Sequence, residues 1–86
     1  MPEISRFYGI IIRMFYNDHN PPHFHVIYQE NEALLDIRTL EILEGSLPKR
    51  ARVLAVEWAI EHREELLTNW QKARSRETLD KIDPLD

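Results

Sequence analysis

The chain predicts an α+β fold: a small antiparallel meander of three to four strands, with one long helix or two shorter helices packed on its apolar face. Three observations predict it. Apolar and polar residues alternate in short runs over the first 45 positions, the period of half-buried strands. From Pro48 the apolar spacing changes to three and four, through Ala51, Leu54, Ala55, Trp58, His62, Leu66, Trp70 and Ala73, which is a helical stripe. The segments between the strand-like runs are too short for parallel crossovers, so the sheet is antiparallel.

Each element follows from its residues. Residues 4–8 are read as a lead-in to a strand from Gly9 to Tyr16. There Ile10, Ile12, Met14 and Tyr16 fall on one face, and Ile11, Arg13 and Phe15 on the other. Asn17, Asp18, Asn20, Pro21 and Pro22 are turn chemistry, because proline fixes φ and Asn and Asp tolerate tight turns. His23 to Gln29 is the second strand, with Phe24, Val26 and Tyr28 on the apolar face and His23, His25 and Ile27 on the other. After a turn at Glu30-Asn31, residues 32–37 make the third strand, and Leu40 to Leu43 is a candidate short fourth.

Ser46 is the expected N-cap of the helical part, with Pro48 in the first turn, where it is tolerated. A single helix over the whole stripe would exceed the usual globular length, which favours a break near His62. Trp58 and Trp70 lie on the apolar stripe, with Trp70 near enough to the end to be part-exposed. Residues 76–86 read as an extended tail packed by Leu79, Ile82 and Leu85. The chain is therefore read as a single domain, residues 1–86: a meander over 1–45, a helical part over 46–75 and the tail over 76–86.

Composition bounds the function. Eighty-six residues with 43% hydrophobic and 30% charged side chains are globular values. So small a core makes a partner protein or a homo-oligomer a reasonable source of extra burial. Absence of cysteine excludes disulfides and thiolate metal sites, and sets a cytoplasmic location as the expectation. Neither a signal-peptide pattern nor an apolar run of membrane length is present. The net charge of −4 argues against strong non-specific nucleic-acid binding, though a local basic patch remains compatible with it. Two glycines are too few for a glycine-rich phosphate cradle.

The most informative stretch is Asn17-Asp18-His19-Asn20-Pro21-Pro22-His23-Phe24-His25-Val26, which holds three of the four histidines. In a strand His23 and His25 stand roughly 6–7 Å apart on one face, with His19 upstream. Imidazoles titrate near neutral pH and serve as general acid and base; neutral ones are also common metal ligands. Two readings follow. In one, His23 and His25 transfer protons, Arg13 contacts a phosphate and Asp36 orients a histidine, all on one sheet face. In the other, His19, His23 and His25 hold a divalent metal; no other cofactor is expected. The bland alternative is a cross-strand Arg13–Asp36 pair beside bystander histidines.

Lys49, Arg50 and Arg52 crowd the helix start, where positive charge opposes the macrodipole. They form a candidate site for an anion or an acidic partner, or a solvated basic turn neutralised by Glu41 and Glu44. The basic end at Lys72, Arg74 and Arg76 suits the dipole without any function.

The runs Met1-Pro2-Glu3-Ile4-Ser5-Arg6-Phe7-Tyr8-Gly9-Ile10, Asn20-Pro21-Pro22-His23-Phe24-His25-Val26, Gly45-Ser46-Leu47-Pro48 and Glu57-Trp58-Ala59 resemble a family of small bacterial proteins known as domain of unknown function 4160. The resemblance covers nearly the whole chain. It implies a gene beside that of another small protein, in an arrangement similar to a toxin–antitoxin pair, and it assigns no activity and no catalytic residue. The expectation is a component of such a two-protein module, with a small cognate protein as partner and RNA as target. The competing expectation is a non-catalytic binding module, a neutralising partner whose helix surface and tail carry the interaction.

Overall fold

A computed structural model of the chain describes residues 2–86. It has five strands followed by two helices: β1 (Glu3–Phe7), β2 (Ile10–Arg13), β3 (His23–Tyr28), β4 (Asn31–Asp36), β5 (Ile42–Gly45), α1 (Lys49–Glu61) and α2 (Arg63–Arg74). The strands form one antiparallel sheet in the order β1-β2-β3-β4-β5. The α+β class and the meander are as expected; the strand count is five, not three to four.

The added strand is β1, where the sequence suggested only a lead-in. Its burial breaks alternation, since Ile4 and Ser5 are both buried, Arg6 is exposed and Phe7 is buried. The pairing with β2 shifts register between Glu3 and Ser5. A bulge places two neighbours on the same side and so erases the period-2 signal. β2 in turn ends at Arg13 rather than Tyr16. Met14 is still buried, but Tyr16 is exposed, and Asn17 takes a left-handed φ of 56° that turns the chain into the loop.

Strand parity builds the core. Ile12, Val26 and Ala33 pair across β2, β3 and β4, as do Phe24 and Leu35 across β3 and β4, and all five are fully buried. α1 covers this face with Ala51, Ala55, Trp58 and Ala59. Trp58 packs on Phe7 and Phe24, with ring centroids 5.5 and 6.1 Å apart. Three alanines on the buried stripe let the helix lie close while one large ring fills the space.

The helical stripe breaks at His62, whose φ of −121° and ψ of 21° lie off the helical region. Ser46 does not cap α1: Pro48 occupies the N-cap position and no side chain caps it. Gly45, at φ +79°, instead turns the chain off β5, and a Cβ there would overlap the Glu32 carbonyl oxygen. Trp70 is buried rather than part-exposed.

The tail is part of the fold. The Ile82 amide donates to the Ile4 carbonyl at 2.8 Å, and the Trp58 indole N–H donates to the Asp83 carbonyl at 2.7 Å. Asn69, 1% exposed, clasps the Asp80 backbone twice: its amide group donates to the carbonyl and its oxygen accepts from the N–H, both at 2.9 Å. Ile82 is buried among these contacts. No helix among the described residues is long and apolar enough to cross a membrane.

Replacing Asn69 by alanine removes both bonds from a buried position and is expected to cost roughly 1–3 kcal/mol. Urea unfolding checks this. Lys72→Ala, which removes an exposed ion pair to the same Asp80, should cost less than about 1 kcal/mol.

Candidate histidine–aspartate site

The loop between β2 and β3 brings the site together. It leaves β2 through Asn17, and the Asn20–Pro21 peptide bond is cis. The Asn17 side-chain oxygen, turned toward Arg76, accepts from its guanidinium at 3.1 and 2.6 Å. That contact ties the start of the loop to the end of α2. The Ile37 amide donates to the Pro22 carbonyl at 2.9 Å, which anchors the other end beside β4. Between these anchors the Asp18 side chain turns in over the two histidines of β3.

His23 and His25 point away from Phe24 and Val26, as alternation requires, yet they are only 4% and 8% exposed. The face opposite α1 was expected to be polar and open; here the loop and two aromatic rings close it. Phe15 sits edge-on to His25 at 4.2 Å, and Trp70 packs on His23 at 5.2 Å.

Both histidines converge on one carboxylate oxygen. Asp18 Oδ2 lies 2.9 Å from His23 Nε2 and 3.1 Å from His25 Nε2. The other ring nitrogens are also engaged. His23 Nδ1 is 2.8 Å from the Pro21 carbonyl oxygen, and His25 Nδ1 is 3.0 Å from Glu32 Oε2. Glu32 faces Ile27 across the β3–β4 hairpin and is therefore the diagonal neighbour of His25 on the same face. Burial pushes the Asp18 carboxyl up, but bonds from His25, the His19 amide and His23 outweigh it, and the group lies below the ordinary aspartate value.

Four ring nitrogens make four contacts with three oxygen atoms, Asp18 Oδ2 being shared, and two neutral imidazoles carry only two N–H groups. A carbonyl oxygen can only accept, so His23 carries its proton on Nδ1. If Glu32 holds the His25 proton in the same way, both Nε2 lone pairs and a carboxylate oxygen aim at one point. That point calls for a positive charge, either added protons or a metal ion. Asp18, His23 and His25 offer three donor atoms within 4.8 Å of one another.

The other expected site residues divide. Arg13 pairs with His25 in the register and Asp36 with His23, so both stand beside the histidines on the neighbouring strands. The Asp36 carboxylate, however, accepts from the Arg38 and Thr39 amides at 2.7 and 3.1 Å. It shapes the turn before β5, and Asp18 holds the histidines instead. His19 is exposed and offers its backbone N–H, not its ring, to Asp18 at 3.0 Å. Lys49, Arg50 and Arg52 sit apart. Arg50 borders a cleft with Tyr8 and Tyr28, and Tyr28 is about 16 Å along β3 from His23 by strand rise.

Asp18 and Glu32 are the residues that sequence reasoning passed over. Asp18 read as turn chemistry and Glu32 as the first residue of a strand. The hairpin register alone could have found Glu32, because the short turn before β4 brings it next to Ile27 and so diagonal to His25. A cleft of about 220 Å³ opens beside the cluster, lined by Asp18, His19, Asn20, Pro21, His23, Leu34, Leu43 and Glu44.

Against this geometry, a family model described as a domain of unknown function, DUF4160, matches residues 9–71. The chain belongs to the DUF4160 family. No curated protein and no solved structure matches it. The DUF4160 match takes in the whole β2–β3 loop, the histidine strand, Glu32 and α1, and leaves out β1 and the tail.

The Pro21 contact predicts the tautomer. Long-range nitrogen–proton NMR of the imidazoles should show a proton on Nδ1 of His23 throughout the neutral pH range. A neutral ring protonated only on Nε2 would contradict the geometry.

Proposed function

We propose that this DUF4160 protein is the effector half of a two-protein, toxin–antitoxin-like module, that the Asp18–His23–His25 cluster is its working site, and that its target is RNA. The observation that supports this reading most directly is the convergence of two buried imidazoles on one carboxylate beside an open cleft. A scaffold of this size gains nothing structural from burying so many polar groups, since an apolar replacement of similar volume is often neutral or stabilising. Titratable groups that converge beside a cleft are candidates for chemistry.

For a phosphodiester, the cluster supplies the groups that activate the attacking oxygen. Arg13, half-buried on the adjacent strand opposite His25, supplies positive charge on the same sheet face for the negative charge that develops on the phosphate. The small cognate protein would neutralise the effector by covering the cleft.

Induction of the protein alone in a bacterial host should arrest growth. His23→Ala, His25→Ala and Asp18→Asn should each restore growth while the soluble, folded protein persists. Loss of a single group of such a unit commonly costs about 10²–10⁴ in rate, enough to abolish arrest. Arrest that survives all three substitutions would sink the reading. If arrest follows the cluster, RNA from induced cells should show new cleavage ends that the three variants lack.

One observation favours a second reading, a non-catalytic binding module. Val53 and Ile60, seven residues apart on α1, are 42% and 57% exposed on the helix surface away from the sheet. The tail is a poor place to test this, because its deletion would remove the Ile82 and Asp80 contacts of the fold itself. Co-expression of the neighbouring gene product with Val53→Glu/Ile60→Glu is the better probe. Loss of the complex with the cluster intact would support the binding module.

A further inference from the structure

We infer that Asp18, His23 and His25 form a three-ligand centre for a divalent transition-metal ion, bound through the two Nε2 atoms and the Asp18 carboxylate. The inference deepens the effector reading and takes its substrate class, a phosphodiester, from it.

Four observations build the centre. The donor atoms are already gathered: Asp18 Oδ2 is 2.9 and 3.1 Å from the two Nε2 atoms, and all three lie within 4.8 Å. In a tetrahedral zinc site, bond lengths of about 2.0–2.2 Å put neighbouring donors roughly 3.3–3.5 Å apart. An ion therefore enters with a retreat of the carboxylate by about a few tenths of an ångström and with the two Nε2 atoms, which lie within 4.8 Å of one another, settling at a similar spacing. Second, the ring nitrogens that would not bind metal are both held from outside, His23 Nδ1 by the Pro21 carbonyl and His25 Nδ1 by Glu32. Histidine ligands commonly donate their second N–H to a carbonyl or carboxylate, which fixes the tautomer and aims the lone pair at the metal.

Third, the two rings stand side by side, with centroids 5.4 Å apart and both nearly buried, and one divalent ion between their Nε2 atoms balances the Asp18 and Glu32 carboxylates while both imidazoles stay neutral. Fourth, the protein supplies three ligands and the cleft reaches Asp18 and His23, so a coordination position stays open to water or substrate, as in catalytic rather than structural metal sites.

Two imidazoles and a carboxylate without thiolate suit zinc, or iron(II) and its neighbours, over magnesium or calcium. Such an ion lowers the pKa of bound water to near neutrality and yields hydroxide at physiological pH. In hydrolysis the bound water gives one proton to solvent and its oxygen bonds to phosphorus. The bond from phosphorus to the leaving sugar oxygen breaks, and that oxygen departs with a proton from solvent. Asp18 and the histidines hold the ion; Glu32 is a positioning residue that acts through His25.

The test is metal titration of protein made without an affinity tag and stripped with chelator. Zinc, iron(II) and manganese are followed by calorimetry, and cobalt(II) by its visible absorption. Wild type should bind one equivalent, with cobalt bands of a four- or five-coordinate nitrogen–oxygen site. Asp18→Asn, His23→Ala and His25→Ala should abolish that binding, and Glu32→Gln should weaken it about 10–100-fold. His62→Ala, distant in sequence and paired with Glu65, should leave it unchanged. If a ligand variant fails to fold, imidazole NMR of wild type still decides, since zinc should shift Nε2 of His23 and His25 and spare His19.

No saturable binding of any of these ions by folded wild type would overturn the centre, as would binding that survives loss of both histidines. A protein that binds metal but never arrests growth keeps the centre and removes the effector reading. Cluster-dependent arrest by a protein that binds no metal does the reverse.

Discussion

The parity of β3 is the constraint on which the rest depends. Side chains of a strand alternate between faces, so once Phe24 and Val26 are committed to the core under Trp58, His23 and His25 must leave on the other side. A slip of one residue would bury the histidines against α1 and expose two large apolar groups. The hydrophobic effect, which has no interest in chemistry, thereby sets the position of the polar cluster to within a residue. The hairpin to β4 then carries the same parity to Glu32, and the pairing with β2 carries it to Arg13.

The opposite face needed a different solution. Histidine rings left in water would be ordinary half-exposed side chains. Here the loop from Phe15 to Pro22 folds back over them, and Trp70 closes the side nearest α2. A loop without regular structure holds its shape only where its ends are tied. The contacts of Asn17 with Arg76 and of Pro22 with Ile37 supply those ties. The tail matters to the site for the same reason. It secures α1 and α2 through Asp83 and Asp80, and α2 carries Trp70.

Charge is partitioned along the molecule. The cluster and its cleft hold Asp18 and Glu44, with Glu32 behind His25, while Arg50 lies at the far end of β3 beside Tyr8 and Tyr28. An acid-rich cleft attracts a cation before it attracts a polyanion, and a bound divalent ion would reverse that preference.

The sequence alone was enough for the class of fold, the histidine strand and its two faces, and the helical stripe with its break near His62. These are local matters, since periodicity and turn residues act within a few positions. It also singled out His23 and His25, because three histidines around a proline pair are unusual whatever surrounds them. Strand β1 was not legible, because a bulge at Glu3–Ser5 cancels the alternation that marks a strand. The partner of the histidines was not legible either. Asp36 and Asp18 are both acids near the right strand, and the turn after β4 claims one while the loop delivers the other. Only the tertiary structure decided that, because it depends on how a tied loop folds across a sheet, and no spacing along the chain encodes the distance between a loop carboxylate and a strand imidazole.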